Sequence, residues 1–157
     1  IVLNLLKDMG ARVLVGKSSV TVGKSKLAAI TADLSDCIDL LPTLAALAAV
    51  ADGTSRFTGI RRARLKESNR VAALREGLTR MGIKVIEEGD SLIVTGSEPV
   101  GSVIDSHDDH RIAMAFGILG LSAGGTTIDG AECVRKTYPE FWDILKSLGG
   151  EVKLDGK

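Results

Sequence analysis

The sequence predicts an α/β domain built by repetition, with apolar inner helices alternating with amphipathic outer helices and β-hairpins. Three observations predict it. Leu6-Lys7-Asp8-Met9-Gly10, Leu78-Thr79-Arg80-Met81-Gly82 and Leu145-Lys146-Ser147-Leu148-Gly149 share one pattern, and alternating apolar residues follow each. A second element also recurs, since Ala51-Asp52-Gly53-Thr54-Ser55 parallels Ala123-Gly124-Gly125-Thr126-Thr127. Finally, two kinds of helical pattern take turns along the chain.

Residues 1–10 read as the end of a helix, and a chain that opens inside an element is expected to be truncated. The Gly after each Leu-x-x-Met/Leu pattern suits a left-handed C-cap. Arg12-Val13-Leu14-Val15 turns at Gly16-Lys17-Ser18 into Ser19-Val20-Thr21-Val22, a hairpin pattern. Lys84-Val85-Ile86-Glu87 turns at Gly89-Asp90 into Ser91-Leu92-Ile93-Val94 in the same way. Glu151-Val152-Lys153-Leu154 reads as the first arm of a third hairpin. Residues 40–52 and 111–123 are apolar nearly all round, so both are expected to be helices buried on every side. Residues 67–81 place Val71, Leu74, Leu78 and Met81 on one stripe, with Arg70, Arg75, Glu76 and Arg80 elsewhere. Residues 138–148 do likewise with Phe141, Ile144, Leu145 and Leu148. The unit is strand, buried helix, strand, amphipathic helix, hairpin. Residues 1–157 hold about two such units plus the tail of a third.

The 157 residues suffice for one sizeable core. Hydrophobic residues are 45% and charged residues 25%, a balance that excludes global disorder. Lys plus Arg equals Asp plus Glu at 20 each, so no net charge draws the chain to nucleic acid or anionic lipid. Aromatics at 3% argue against base stacking. Cys37 and Cys133 make neither a disulfide framework nor a metal spacing, and they read as free thiols in a reducing cytoplasm. No signal peptide is visible, and the longest apolar run is too short to span a bilayer.

Polar residues gather at the edges of these elements. Asp39 stands before the first buried helix. Residues 61–70 are dense in Arg and Lys, with Glu67 the one carboxylate among them. Asp108-Asp109-His110-Arg111 opens the second buried helix, and Arg135-Lys136-Thr137-Tyr138-Pro139-Glu140 opens the last one. Thr137 and Glu140 have capping-box spacing. Helix N-termini attract anions, and Arg or Lys there adds direct contacts to phosphate or carboxylate. Carboxylates among such cations stay ionised and can move protons. Each feature also has a plain structural reading: Asp39 and Asp109 as N-caps, the arginine-rich segment as a solvated loop, His110 as a surface residue, and the Lys136 segment as a capped helix start.

Taken together, the motifs Leu65-Lys66-Glu67-Ser68-Asn69-Arg70, Asp108-Asp109-His110-Arg111-Ile112-Ala113-Met114 and Lys136-Thr137-Tyr138-Pro139, with Asp39 upstream, resemble the enolpyruvyl transferase family. Within it they are most similar to the 5-enolpyruvylshikimate-3-phosphate synthases. The resemblance covers essentially the whole chain and about the last third of the family's usual length. It implies the inside-out α/β barrel fold of that family, here as its C-terminal part without the N-terminal portion. It implies transfer of the enolpyruvyl group of phosphoenolpyruvate to the 5-hydroxyl of shikimate 3-phosphate, with no metal and no organic cofactor. By resemblance, Asp39 contacts the shikimate hydroxyls and helps take up the hydroxyl proton, and Glu67 handles proton transfer at the methylene. Lys66 binds the shikimate 3-phosphate side, while Arg70, Arg111 and Lys136 hold the phosphate and carboxylate of phosphoenolpyruvate. His110 contacts the phosphoenolpyruvate side, where glyphosate inhibits family members. Arg62 departs from the Asn of many members, and Asp108 is often Asn. The expected partners are these two small molecules and the N-terminal portion of the same enzyme, with neither nucleic acid nor membrane. The parent is expected to be a cytoplasmic monomer. The sister enzyme acting on UDP-N-acetylglucosamine shares the repeat and the aspartate but lacks the other three motifs. A folded module without catalysis is the other alternative: the isolated chain is expected to fold and to turn over no substrate alone.

Overall fold

The computed structural model describes residues 1–155. A short helix α1 (Val2–Asp8) leads into the hairpin β1 (Arg12–Val15) and β2 (Val20–Gly23). Strand β3 (Thr31–Asp33), a 3-10 turn (Ile38–Leu40), helix α2 (Leu41–Ala49) and strand β4 (Thr54–Thr58) follow. A second 3-10 turn (Arg61–Leu65) leads to helix α3 (Arg70–Arg80) and the hairpin β5 (Lys84–Glu88) and β6 (Ser91–Thr95). The order then repeats with β7 (Val103–Asp105), α4 (His110–Ala123), β8 (Thr127–Asp129), a 3-10 turn (Ala131–Lys136) and α5 (Phe141–Ser147).

The expected unit is present. In the first copy β3 and β4 are parallel, joined over α2, with Ala32 opposite Phe57. Strand β4 pairs antiparallel with β6, which pairs with β5, so the sheet order is β3-β4-β6-β5. In the second copy β7 and β8 are parallel over α4, with Ile104 opposite Ile128. The glycines closing α1, α3 and α5 have positive φ: +81° at Gly10, +79° at Gly82 and +95° at Gly149. A side chain is strained there, so α1 and α3 each end on the residue that turns most cheaply into the next strand.

The core lies between the inner helices and the sheet. Leu41, Leu44, Ala45 and Ala48 of α2 pack with Phe57, Leu74, Leu78, Leu92, Val94, Ile112 and Phe116. A full burial of such a Leu or Phe contributes about 1.5–3 kcal/mol over an exposed one. A smaller cluster joins Ala113, Cys133, Val134, Phe141 and Leu145, and seats α5 on α4.

Six expectations need correction. Helix α3 starts at Arg70, not at residue 67, because Asn69 caps it by accepting the Ala72 N–H at 3.2 Å. The last helix starts at Phe141 rather than residue 138. Thr137 and Glu140 form no capping box; Glu140 is the cap residue and its side chain makes no cap hydrogen bond. Pro139 disfavours helical backbone at Tyr138, which moves the start downstream. The stripe on that helix is also half solvated, since Ile144 and Leu148 are exposed. Helix α4 is buried at Ile112, Phe116 and Leu119 but exposes Ile118 and Leu121, so it is not enclosed on every side. Glu151-Val152-Lys153-Leu154 forms no strand; nothing among the described residues pairs with it, and an arm without a ladder gains no hydrogen bonds.

The hairpin β1–β2 stands apart from the four-stranded sheet. Val13 opposes Val22, and Val15 opposes Val20, which puts all four on one face. Val13 is buried, whereas Val15, Val20 and Val22 are exposed. Among the described residues β2 pairs only with β1, whereas β6, its counterpart in the next unit, also pairs with β4.

Candidate active site

Repetition places the loops that follow β3 and β7 in equivalent positions, and each starts with a side-chain turn. Asp33 Oδ1 accepts the Ser35 N–H at 2.9 Å, and Asp105 Oδ1 accepts the His107 N–H at 2.7 Å. Asp39 follows the first turn and Asp109 the second, so each unit brings a carboxylate to the start of its inner helix. The second loop is sharply bent, with His107 and Asp108 both left-handed at φ 51° and 55°.

Arg70 stands between these carboxylates. It is fully buried, although the stripe pattern grouped it with polar residues facing away from the core. A buried guanidinium loses its water, and a cation in the first turn also opposes the helix dipole. Three carboxylates offset both costs. Arg70 Nε donates to Asp109 Oδ2 at 2.8 Å and Nη2 donates to Asp109 Oδ1 at 3.3 Å. Nη1 donates to Asp39 Oδ1 at 2.7 Å, and Nη2 donates to Glu67 Oε2 at 2.6 Å. Burial works to lower the Arg70 pKa, but the bond and charge of Asp109, with Glu67 and Asp39, raise it instead, so Arg70 remains a cation.

Asp39 is not the cap of α2; that position belongs to Leu40, whose side chain makes no cap bond. Asp39 instead faces cations. Lys66 Nζ lies 3.1 Å from its Oδ1, and Arg111 Nη2 lies 3.8 Å from its Oδ2. Burial pushes the Asp39 carboxyl up, but the Lys66 bond and the charges of Arg111, Lys66 and Arg70 outweigh it and hold the carboxyl below its usual range. Asp39 and Glu67 are about half exposed, at 45% and 46%, so both reach solvent from the rim of the buried arginine.

The fold therefore gathers Asp39, Lys66, Glu67, Arg70 and Arg111. His110 opens α4 and is buried, not a surface residue, and its Nδ1 has no hydrogen-bond partner. Lys136 is linked to the same helix start through Asp108, donating to its Oδ2 at 2.6 Å and its carbonyl oxygen at 3.2 Å, but it touches none of the other candidate residues directly. That bond chiefly raises the Lys136 pKa and keeps it cationic. The arginine-rich stretch is partly a 3-10 turn whose members bind elsewhere: Arg64 donates to Glu87, and Arg62 to the Ser35 carbonyl. Two open recesses, one lined by Arg75, Ile86, Glu87 and Gly89 and the other by Arg61, Arg64 and Asp90, are not lined by the Arg70 cluster. No group of His, Cys, Asp and Glu among the described residues is arranged to hold a metal ion.

Two contributors escape sequence reasoning. Asp109 caps α4 by accepting the Arg111 N–H at 3.0 Å, as its position suggested, but it also holds Arg70 and the Ser68 hydroxyl, the latter at 3.0 Å. Both of those contacts join residues far apart in the chain, and no local spacing signals them.

The repeated α/β fold converges cations and carboxylates at the starts of its inner helices, an arrangement suited to holding an anion. The family described as EPSP synthase (3-phosphoshikimate 1-carboxyvinyltransferase) matches residues 1–145, and the chain belongs to that family. It is 54% identical over 155 residues to the 3-phosphoshikimate 1-carboxyvinyltransferase of Dehalococcoides mccartyi, covering 99% of this chain and 37% of the relative. The protein of the same name from Clostridium kluyveri is 43% identical, with 97% of this chain and 36% of that one covered. The chain thus spans little more than a third of the length of these curated relatives. Among solved structures, EPSP synthase from Acinetobacter baumannii superposes with a TM-score of 0.85 at 31% identity, over 99% of this chain and 40% of that one. The enolpyruvyl transferase NikO from Streptomyces tendae reaches 0.78 at 24% identity over 96% of this chain and 35% of that one, which is a likeness of fold.

Proposed function

We propose that this chain is the C-terminal portion of an enzyme that transfers the enolpyruvyl group of phosphoenolpyruvate to the 5-hydroxyl of shikimate 3-phosphate, releasing phosphate. The observation that carries this reading is the convergence of Asp39, Lys66, Glu67, Arg70 and Arg111 in a chain of zero net charge. Two polyanionic substrates need local cations, and two proton transfers need carboxylates held among them.

Asp39 takes up the proton of the attacking hydroxyl. Glu67 serves the methylene carbon of phosphoenolpyruvate, which gains a proton as the hydroxyl adds to the neighbouring carbon. The tetrahedral intermediate then loses phosphate and one methyl proton, which restores the double bond. Arg111 and Lys136 neutralise the phosphate and carboxylate of phosphoenolpyruvate, and Lys66 faces the 3-phosphate of the acceptor. Arg70 offers its Nη1–Nη2 corner, here on Asp39 and Glu67, to the phosphoenolpyruvate anion. His110 borders the phosphoenolpyruvate side with its unpartnered Nδ1. The remaining wall of the cleft, and its further catalytic groups, come from the N-terminal portion. The parent enzyme works as a cytoplasmic monomer; no described helix is long and apolar enough to cross a membrane.

The test is phosphate release by this chain alone and by this chain joined to the complementary length of the D. mccartyi relative. The expected result is no turnover alone and turnover in the completed protein that needs both substrates. Thermal stabilisation of the completed protein by UDP-N-acetylglucosamine, and not by shikimate 3-phosphate, would overturn the choice of acceptor. Absence of turnover in a folded completed protein would favour a non-catalytic module.

A further inference from the structure

We infer that Asp109 is a positioning residue, which grips the inner edge of Arg70 so that its outer corner is aimed at the reacting anion. The inference rests on the proposed role of Arg70. Asp109 is completely buried, as is Arg70. Its two carboxylate oxygens take the Nε and Nη2 hydrogens at 2.8 and 3.3 Å, a fork that fixes both the position and the plane of the guanidinium. The opposite corner is thereby turned to Asp39 and Glu67, the two rim carboxylates.

Asp109 is itself fixed by three further bonds. Its side chain accepts from the Arg111 N–H and from Ser68 Oγ, both at 3.0 Å, and its own N–H donates to the Ser106 carbonyl at 3.0 Å. One buried carboxylate thus ties the segment carrying Glu67 and Arg70 to the helix start carrying His110 and Arg111. The left-handed pair His107 and Asp108 brings it there. An ordinary N-cap needs none of the Arg70 or Ser68 contacts, and a helix start needs no complete burial of its cap. A misplacement of about 1 Å at a substrate-holding group costs up to about 100-fold in rate, so a fixed guanidinium is worth this apparatus.

The test uses Asp109→Asn, which keeps the cap and the side-chain shape but removes the charge and one acceptor for the fork. In the chain completed with the D. mccartyi length, KM for phosphoenolpyruvate should rise about tenfold or more, while KM for shikimate 3-phosphate moves less than about threefold. A cap-only role would lower Tm and leave that ratio alone, and this result would overturn the proposal. Because Asp109 acts through Arg70, the double variant Asp109→Asn/Arg70→Gln should match Arg70→Gln in KM; an added loss would show an independent role. The double variant also removes both buried charges, so it carries the comparison if Asp109→Asn fails to fold. A second readout needs no turnover. In the isolated chain the Arg70 Nε–H proton should exchange slowly in NMR spectra and become fast in Asp109→Asn. Fast exchange already in the wild-type chain sinks the clamp itself, whereas slow exchange with no turnover sinks only the assigned reaction.

Discussion

Replacing Arg70 by Met tests the site through stability. The substitution keeps much of the side-chain volume and removes the charge, which leaves Asp109 buried with only Ser68 and the Arg111 N–H as partners. Breaking a buried pair from one side costs about 3–5 kcal/mol, because the remaining ion is uncompensated. In the wild type, burial pushes the Asp109 carboxyl up, but the bond and charge of Arg70, the Arg111 N–H and Ser68 hold it below its usual range. A depressed carboxyl adds stability that is present above its unfolded pKa, about 3.9, and lost as pH falls through the lower native value. Without Arg70, burial dominates and the native pKa moves above the unfolded one. The sign then reverses: the destabilisation is smallest below about pH 4 and grows as pH rises through the raised native value. Urea unfolding of both chains from acid to neutral pH should therefore give curves that converge at low pH and separate by about 3–5 kcal/mol at neutrality. A difference below about 1 kcal/mol at neutral pH, or one independent of pH, would refute the reading of Arg70 and Asp109 as a buried pair.

Two further outcomes are expected. A Cβ on Gly77 of α3 would lie 2.8 Å from Phe116 Cε2 and 2.9 Å from Cε1, so Gly77→Ala gains about 1 kcal/mol of helix propensity but meets an overpacking cost of about 1–3 kcal/mol. Its Tm should fall by a few degrees in calorimetry, and a Phe116→Leu background should cancel the fall; a rise in the wild-type background would mean that the α3–α4 contact is looser than described. Cys133 is buried and its thiol is pushed up mainly by that burial, whereas Cys37 is partly exposed. A chromogenic disulfide reagent should label Cys37 much faster than Cys133 in the native chain, and equal rates would show that the α4–α5 cluster opens readily.

Much of the architecture is legible in the sequence because it depends on local pattern. The Gly after each Leu-x-x-Met/Leu fixes a left-handed turn whatever surrounds it, and the hairpins at residues 12–22 and 84–94 are marked by short β-branched runs broken at Gly16-Lys17-Ser18 and Gly89-Asp90. The stripe Val71, Leu74, Leu78 and Met81 is fully buried as its spacing requires. What stays hidden is set by partners distant in the chain. Arg70 looks like a solvated arginine because its three carboxylates lie at positions 39, 67 and 109. The helix starts shift where one residue decides them: Asn69 in α3, and Pro139 ahead of α5. The same limit applies to the site. Motifs name the residues of the cluster, but only the fold shows that Asp39, Glu67 and Asp109 share a single guanidinium, while Lys136 rests on Asp108 instead.

The hairpin β1–β2 has a consequence for how this chain behaves as a substance. Its valine face and the open edge of β2 offer unsatisfied N–H and C=O groups beside apolar surface, the combination from which intermolecular strand pairing starts. The segment Val20-Thr21-Val22-Gly23 has no charged side chain and no proline to blunt that edge. Neighbouring Lys17, Lys24 and Lys26 supply the nearby repulsion between copies, and repulsion of that kind is screened by salt. Association through this edge should therefore grow with ionic strength and protein concentration, while the core that supports the site stays folded.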